Sequence, residues 1–230
     1  MTAKSHWREG AIVWRLGWAR LRSRLWLVLV IVAVGAICVL LQNGWDDALL
    51  NKIRFPEDQK LTAVAGRVSY WGDQMWSVPL AILLWLAGVV FNRKRWRRLG
   101  WACLWAFLAA SVAVNVFRTP LGRARPNSDL ADGFYGPHLA SKYQGFPSGH
   151  STTAFATAAS VVSAAPLLSV PCAAYATAVG WSRMQLNRHH PLDVATGAVL
   201  GGFVGLCFGG ALPGSRLRLR RKRRANFPTS

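Results

Sequence analysis

The sequence predicts an all-α, polytopic membrane protein with six transmembrane helices, and three observations carry that prediction. The 230-residue chain is 52% hydrophobic and only 16% charged, with a mean hydropathy of +0.22, a composition that disfavours a water-soluble protein. Apolar segments close to the length of a membrane span recur along it. Its basic residues, which give a formal net charge of +19, are concentrated in a few short segments.

The chain begins with a basic segment, residues 1–24, in which Trp7, Trp14, Trp18 and Leu21 recur at helical spacing. This pattern is typical of an amphipathic helix at a membrane surface, and we expect it to serve as an anchor. The first span then follows over 25–41. It is longer than the apolar part of a signal peptide and lacks a small-residue cleavage site, so we expect it to be retained.

A short surface helix is predicted next, because Pro56 opens a stretch with apolar residues at helical spacing that ends at Gly72. The remaining predicted spans cover 75–91, 99–117, 151 to about 170, about 172 to 181, and about 193 to 212. Together 25–213 form one six-span domain, and a basic tail follows over 214–230. The last span carries a glycine at every fourth position from Gly197 to Gly209, which predicts close packing against a neighbouring helix.

Eighteen of the 28 basic residues lie in 1–24, 93–98 and 216–224, which six spans would place on one side of the membrane. The positive-inside rule therefore predicts that both termini are cytoplasmic, in a bacterial inner membrane. The 43–74 and 118–150 loops would then face the extracytoplasmic side. Nucleic acid is not an expected partner, because leucines alternate with the arginines of the tail directly after a span, as in a membrane anchor.

Three polar clusters fall at this extracytoplasmic edge, over 118–126, 146–150 and 182–193. Together they have the chemistry of a tetrahedral-oxyanion site. The expected phosphate ligands are Arg118, Arg125, Ser148, Gly149 and Arg183. The arginines supply planar cationic forks, and the serine and glycine lie just ahead of a helix whose N-terminus favours an anion.

Two histidines can be assigned different tasks in such a site. His189 precedes Asp193 by four residues, so the carboxylate can fix the tautomer and leave one ring nitrogen as nucleophile. His150 is then available as the general acid for the leaving alkoxide. We expect no metal or other cofactor, because Asp193 is committed to His189 and only Asp129 and Asp132 lie nearby. Both of these are interpreted as loop caps. Arg123 is interpreted as lining the pocket or contacting a headgroup.

The three clusters resemble the three-part signature of the type 2 phosphatidic acid phosphatase family, whose superfamily includes acid phosphatases and vanadium haloperoxidases. The resemblance covers 118–193, with one departure: Arg118 stands where the first motif usually has lysine. It implies a helix bundle around the site, with His189 as nucleophile, Asp193 as its partner and His150 as acid.

The resemblance implies an integral-membrane enzyme that hydrolyses a lipid phosphate or diphosphate through a phosphohistidine, without a metal. An isoprenyl diphosphate, phosphatidylglycerol phosphate, phosphatidic acid and lipid A all stay open as substrates, and so does the oligomeric state. Two other functions compete with this one. A vanadate-dependent haloperoxidase would use the same oxyanion cradle, and a non-catalytic protein could use it to bind lipid headgroups.

Overall fold

A computed structural model describes residues 3–72 and 74–212, and in these ranges the regular structure is helical, as predicted. The α-helices in chain order are α1 (Ala3–Arg22), α2 (Leu25–Leu41), α3 (Trp45–Ile53), α4 (Gln59–Trp71), α5 (Gln74–Val90), α6 (Lys94–Leu121), α7 (Gly149–Ala164), α8 (Ser169–Gln185) and α9 (Pro191–Gly209). The predicted basic tail, 214–230, lies outside the described residues.

Each predicted span is helical, but one boundary is wrong. The predicted span from 151 to about 170 ends early, at Ala164, and a single 3-10 turn over Pro166–Leu168 follows before α8 begins. Proline lacks the N–H that an α-helix needs in its interior, so the chain turns at this position although it stays apolar. The predicted surface helix is present as α4, with the Asp58 side chain accepting from the Leu61 amide at its start.

Two of the described helices, α6 and α9, are long and apolar enough on their own to cross a membrane. The number rises to four if α1 with α2, and α4 with α5, are each counted as one span bent by 58° and 55°. Helices α7 and α8 have 16 and 17 residues, about 25 Å at 1.5 Å per residue. The six-span arrangement and its orientation therefore stay predictions.

The glycines of α9 pack against the backbone of α7, as the sequence predicts. A Cβ atom at Gly201 would overlap the carbonyl oxygen of Thr152, and one at Gly205 would overlap that of Ala156. The two helices approach so closely only because these positions carry no side chain. This contact holds the beginnings of α7 and α9 side by side.

The amphipathic helix α1 packs on the bundle through one face, so it is more than a surface anchor. Trp14 stacks on Phe208 of α9 at a ring-centroid distance of 5.9 Å, and Trp7 stays largely exposed. Glu9 forms a buried ion pair with Arg97 of α6, with Oε2 3.1 Å from Nε. A buried charge requires such a partner, so α1 has a defined register on α6.

Candidate active site

The three predicted motifs come together at one end of the bundle. The first motif begins in the last turn of α6, the second lies at the start of α7, and the third joins α8 to α9. The Ser148 amide donates to the Asp193 carbonyl at 3.0 Å, which ties the second motif directly to the third. The close packing of α7 on α9 therefore determines where the site forms.

His189 lies in the link between α8 and α9 with only 1% of its surface exposed. Its Nδ1 is 2.8 Å from the carbonyl oxygen of Gly145. A carbonyl only accepts hydrogen bonds, so Nδ1 carries the proton and Nε2 keeps its lone pair. Burial lowers the pKa of His189 to about 4 against the opposing effect of Asp193, and the charges of Arg183 and Arg125 add to the lowering. The ring is therefore neutral near pH 7, as a nucleophile must be.

Asp193 is fully buried at the first turn of α9, but it is not the nearest partner of His189. Its Oδ2 lies 3.7 Å from Nδ1 of His189 and accepts instead from the His190 amide at 2.8 Å, while its Oδ1 accepts from Arg123 at 2.7 Å. From the sequence, we expected this carboxylate to fix the tautomer of His189. In the structure the Gly145 carbonyl makes the shorter contact, and Asp193 acts as a neighbouring charge.

Ser148 and Gly149 form the start of α7. Ser148 is the residue before the first helical turn and is fully buried, and its Oγ accepts from the Ser151 hydroxyl at 3.1 Å. Gly149 is the first helical residue, so its amide belongs to the free N–H groups that favour an anion. His150 is the second helical residue and is half-buried.

The three predicted phosphate-binding arginines are all at least half-buried at this end of the bundle. Arg118 donates to the Asn115 side chain at 2.7 Å, Arg125 to the Gln144 carbonyl at 3.3 Å, and Arg183 to the Ser69 hydroxyl at 2.6 Å. Burial lowers the pKa of Arg125, and the positive charges of Arg118 and Arg188 lower it further. The positive charges of Arg118 and Arg188 therefore act on Arg125, and an anion beside these arginines would relieve the repulsion.

Arg123 has a place that its sequence context did not indicate, since it is completely buried and does not line a pocket. Its guanidinium pairs with Asp46, Asp132 and Asp193 at 2.8, 2.7 and 2.7 Å. Burial lowers the pKa of Arg123, but the carboxylates outweigh that effect and raise it. Asp132 is likewise an ion-pair partner rather than a loop cap.

Asp46 and His190 also belong to this buried cluster, and sequence reasoning missed both. Asp46 accepts from the Leu192 amide at 3.0 Å, and burial raises the pKa of Asp46 against the charge of Arg123. His190 Nε2 lies 3.0 Å from Asp47 Oδ1, and the neighbouring Asp193 raises the pKa of His190 against the effect of burial. The sequence carried only a weak signal for this cluster. Asp46 and Asp47 lie next to each other in the 43–74 loop, which the predicted topology places on the same side of the membrane as the three motifs.

One group among the described residues has a geometry that could hold a metal ion. The ligand atoms of Asp47, Asp132 and His190 lie within 4.8 Å of one another. However, His190 and Asp47 already contact each other, and Asp132 accepts two hydrogen bonds from Arg123.

Known phosphatases are among the proteins whose sequences are similar to this chain. The model of the PAP2 superfamily matches residues 99–211. A lipid A 1-phosphatase of Rhizobium etli is 30% identical over 59% of this chain and 65% of its own length. That of Rhizobium johnstonii is 27% identical over 84% and 83%.

Two solved structures have a similar fold, each with a TM-score of 0.56. The first transmembrane PAP2 type phosphatidylglycerolphosphate phosphatase from Bacillus subtilis is 23% identical and aligns over 83% of this chain and 94% of its own. Aquifex aeolicus LpxE is 25% identical and aligns over 70% and 92%. The chain spans just under two thirds of the Rhizobium etli relative, and the two structural alignments cover nearly all of their neighbours.

Proposed function

We propose that this chain, whose residues 99–211 match the model of the PAP2 superfamily, is an integral-membrane lipid phosphatase that removes a terminal phosphate from a lipid phosphate or diphosphate. The observation that carries this proposal is the state of His189. Its Nδ1 is hydrogen-bonded to a carbonyl at 2.8 Å, its ring is buried and neutral, and arginines surround it. A neutral imidazole within a cationic cradle is suited to attack phosphorus.

In the first step, Nε2 of His189 attacks phosphorus and the bond to the lipid oxygen breaks. The charge on the three equatorial oxygens is stabilised by Arg118, Arg125 and Arg183 and by the start of α7 at Ser148 and Gly149. His150 donates a proton to the departing alkoxide. In the second step His150 takes a proton from water, which attacks the phosphohistidine and releases phosphate and neutral His189.

The mechanism that we propose needs no metal, because the arginines and the helix N-terminus supply the positive charge that a metal would otherwise provide. The relatives named as lipid A 1-phosphatases make a lipid A phosphate the first substrate to test. Phosphatidylglycerol phosphate, phosphatidic acid and an isoprenyl diphosphate complete the panel.

We further propose that the chain crosses the bacterial inner membrane six times, with both termini in the cytoplasm. The basic link Arg93–Arg98 lies at the start of α6 and the first motif begins in its last turn, so the two lie at opposite ends of this 28-residue helix. At 1.5 Å per residue this is about 42 Å, the full thickness of a bilayer with its headgroups. Labelling of single cysteines at positions 95 and 139 by an impermeant reagent on intact cells tests the orientation: only position 139 should react.

The activity is tested with purified, detergent-solubilised protein, by phosphate release from each lipid with a chelator present. His189→Ala should abolish release and prevent formation of an acid-labile phosphoenzyme. His138→Ala is the matched control, because His138 is an exposed histidine in the loop of the first motif. A His189→Ala protein as active as the wild type would refute the proposal, and loss of wild-type activity with the chelator would refute metal independence.

A further inference from the structure

Arg123 contacts three carboxylates through a guanidinium that is completely buried. Its Nε and Nη2 hold both oxygens of Asp132 at 2.9 and 2.7 Å, Nη2 also donates to Asp46 at 2.8 Å, and Nη1 donates to Asp193 at 2.7 Å. Arg123 has no exposed surface, so it does not contact a substrate. The role of Arg123 therefore depends on the residues that it holds in place.

The side chain of Arg123 reaches the nucleophile through Asp193. The two carboxylate oxygens of Asp193 are held separately, Oδ1 by Arg123 and Oδ2 by the His190 amide. The carboxylate is thereby fixed at 3.7 Å from Nδ1 of His189. A carboxylate without the guanidinium could rotate toward the imidazole and bind its proton directly.

The main chain of Arg123 reaches the same nitrogen by a second route. The Arg123 carbonyl accepts from the Gly145 amide at 2.9 Å, and the Gly145 carbonyl accepts from His189 Nδ1 at 2.8 Å. A Cβ at residue 145 would lie 2.9 Å from the carbonyl oxygens of both Arg123 and Ala124, so only glycine permits this approach. Movement of Arg123 therefore displaces both groups that face Nδ1.

We propose that Arg123 is a positioning residue for the nucleophile, which fixes the orientation of the His189 ring through Asp193 and Gly145. This inference rests on the proposed role of His189. The other two carboxylates hold the guanidinium itself: Asp132 is bound by Gln42 at 2.9 Å, and Gln42 also accepts from the Asp46 amide. The end of α2 and the start of α3 thus belong to the support of the active site.

Lysine cannot replace this arginine, because one ammonium cannot reproduce four hydrogen bonds in a planar fork. When a reacting group is displaced by about 1 Å from its reactive position, the rate falls on the order of 10²-fold. Since Arg123 does not contact the phosphate cradle, its loss should act on the chemical step and leave substrate binding unchanged.

The test compares Arg123→Gln and Arg123→Lys with Arg97→Gln in the purified full-length protein. Arg97 is the matched control, because it is an equally buried arginine in an ion pair, with Glu9, at the start of α6. For both Arg123 variants we expect kcat to fall on the order of 10²-fold with KM within about twofold of wild type. Arg97→Gln should lower the unfolding temperature and leave kcat of the folded protein unchanged.

Asp46→Asn provides a second variant, which can be used if the Arg123 variants do not fold. Asparagine has nearly the same shape as the aspartate that it replaces. It weakens one contact of the guanidinium, so we expect a fall in kcat of about tenfold with an unchanged KM. Wild-type kcat in this variant, or in a folded Arg123→Gln protein, would overturn the positioning role. The positioning role would also be wrong if the measured kcat falls only in proportion to the fraction of protein that is folded.

The two proposals fail in different ways. If His189→Ala releases phosphate as the wild type does, the proposed function is wrong. If His189→Ala is inactive while Arg123→Gln and Asp46→Asn keep the wild-type kcat, the function stands and only the positioning role is wrong.

Discussion

Replacing Ser69 by alanine tests whether a helix outside the three motifs supports the phosphate cradle. The Ser69 hydroxyl on α4 accepts from Nη1 of Arg183 at 2.6 Å, and both side chains are buried. A hydrogen bond to a charged group contributes about 1.5–3 kcal/mol. At about 1.4 kcal/mol per factor of ten, the lower value corresponds to roughly a tenfold effect. We use that lower value because phosphate can replace part of the lost contact.

Steady-state phosphate release gives the measurement, with the lipid that the wild type hydrolyses best. Ser69→Ala should lower kcat/KM about tenfold, chiefly through KM, because Arg183 holds the phosphate in both the ground state and the transition state. Ser163→Ala is the control: its hydroxyl donates to the Ala159 carbonyl at 2.9 Å on α7, away from the site. If the two variants have the same kcat/KM, α4 does not support Arg183 and the reasoning is wrong.

Three further predictions address the nucleophile, the docking of α1 and the helix core. The acidic limb of kcat/KM that reports His189 should lie near pH 4 rather than 6.5, because burial favours its neutral form; a limb above pH 6 would contradict the buried ring. Glu9→Gln leaves Arg97 buried without its charge partner and should destabilise the fold by about 3–5 kcal/mol, read as a lower unfolding temperature; an unchanged temperature would argue against the docked α1. Gly201→Val forces α9 away from Thr152 and should lower both stability and kcat, whereas Gly202→Val at an open position should not.

Sequence reasoning predicted the apolar helices because the signal for them is local. The span over 25–41 matches α2 at both ends, since charged or polar residues flank it on each side. The end of α7 was missed because Leu167 and Leu168 keep the segment apolar beyond Pro166. Helix α3 was missed because it has nine residues and two aspartates in its first turn, which resemble a loop in sequence.

The residues of the site also divide into those with a local signal in the sequence and those without one. Motif residues such as His189 and Arg183 could be selected because phosphate chemistry requires those side chains together. Two of the three partners of Arg123 could not be found in this way, since Asp46 lies 77 residues and Asp193 70 residues away in the chain. A pairing over such a distance depends on how α3 and α9 pack, and one sequence carries no local signal for it.

The arginines on this face divide into two groups, and the division bears on the charge of the ligand. Arg123 takes the three carboxylates Asp46, Asp132 and Asp193. Arg118 and Arg125 contact only neutral oxygens, of Asn115 and Gln144, in the hydrogen bonds that the structure gives them.

Because the buried acids are held at Arg123, they offset the cations around His189 only in part. The charge of Asp193 opposes the lowering of the Arg125 pKa, but the pKa values of both Arg125 and His189 stay lowered. The positive charge that remains is suited to a dianionic phosphate, which carries more charge than a diester. We therefore expect the enzyme to prefer a terminal phosphate over an internal phosphodiester of the same lipid. A comparable kcat/KM for the diester would show that the carboxylates reach the cradle after all.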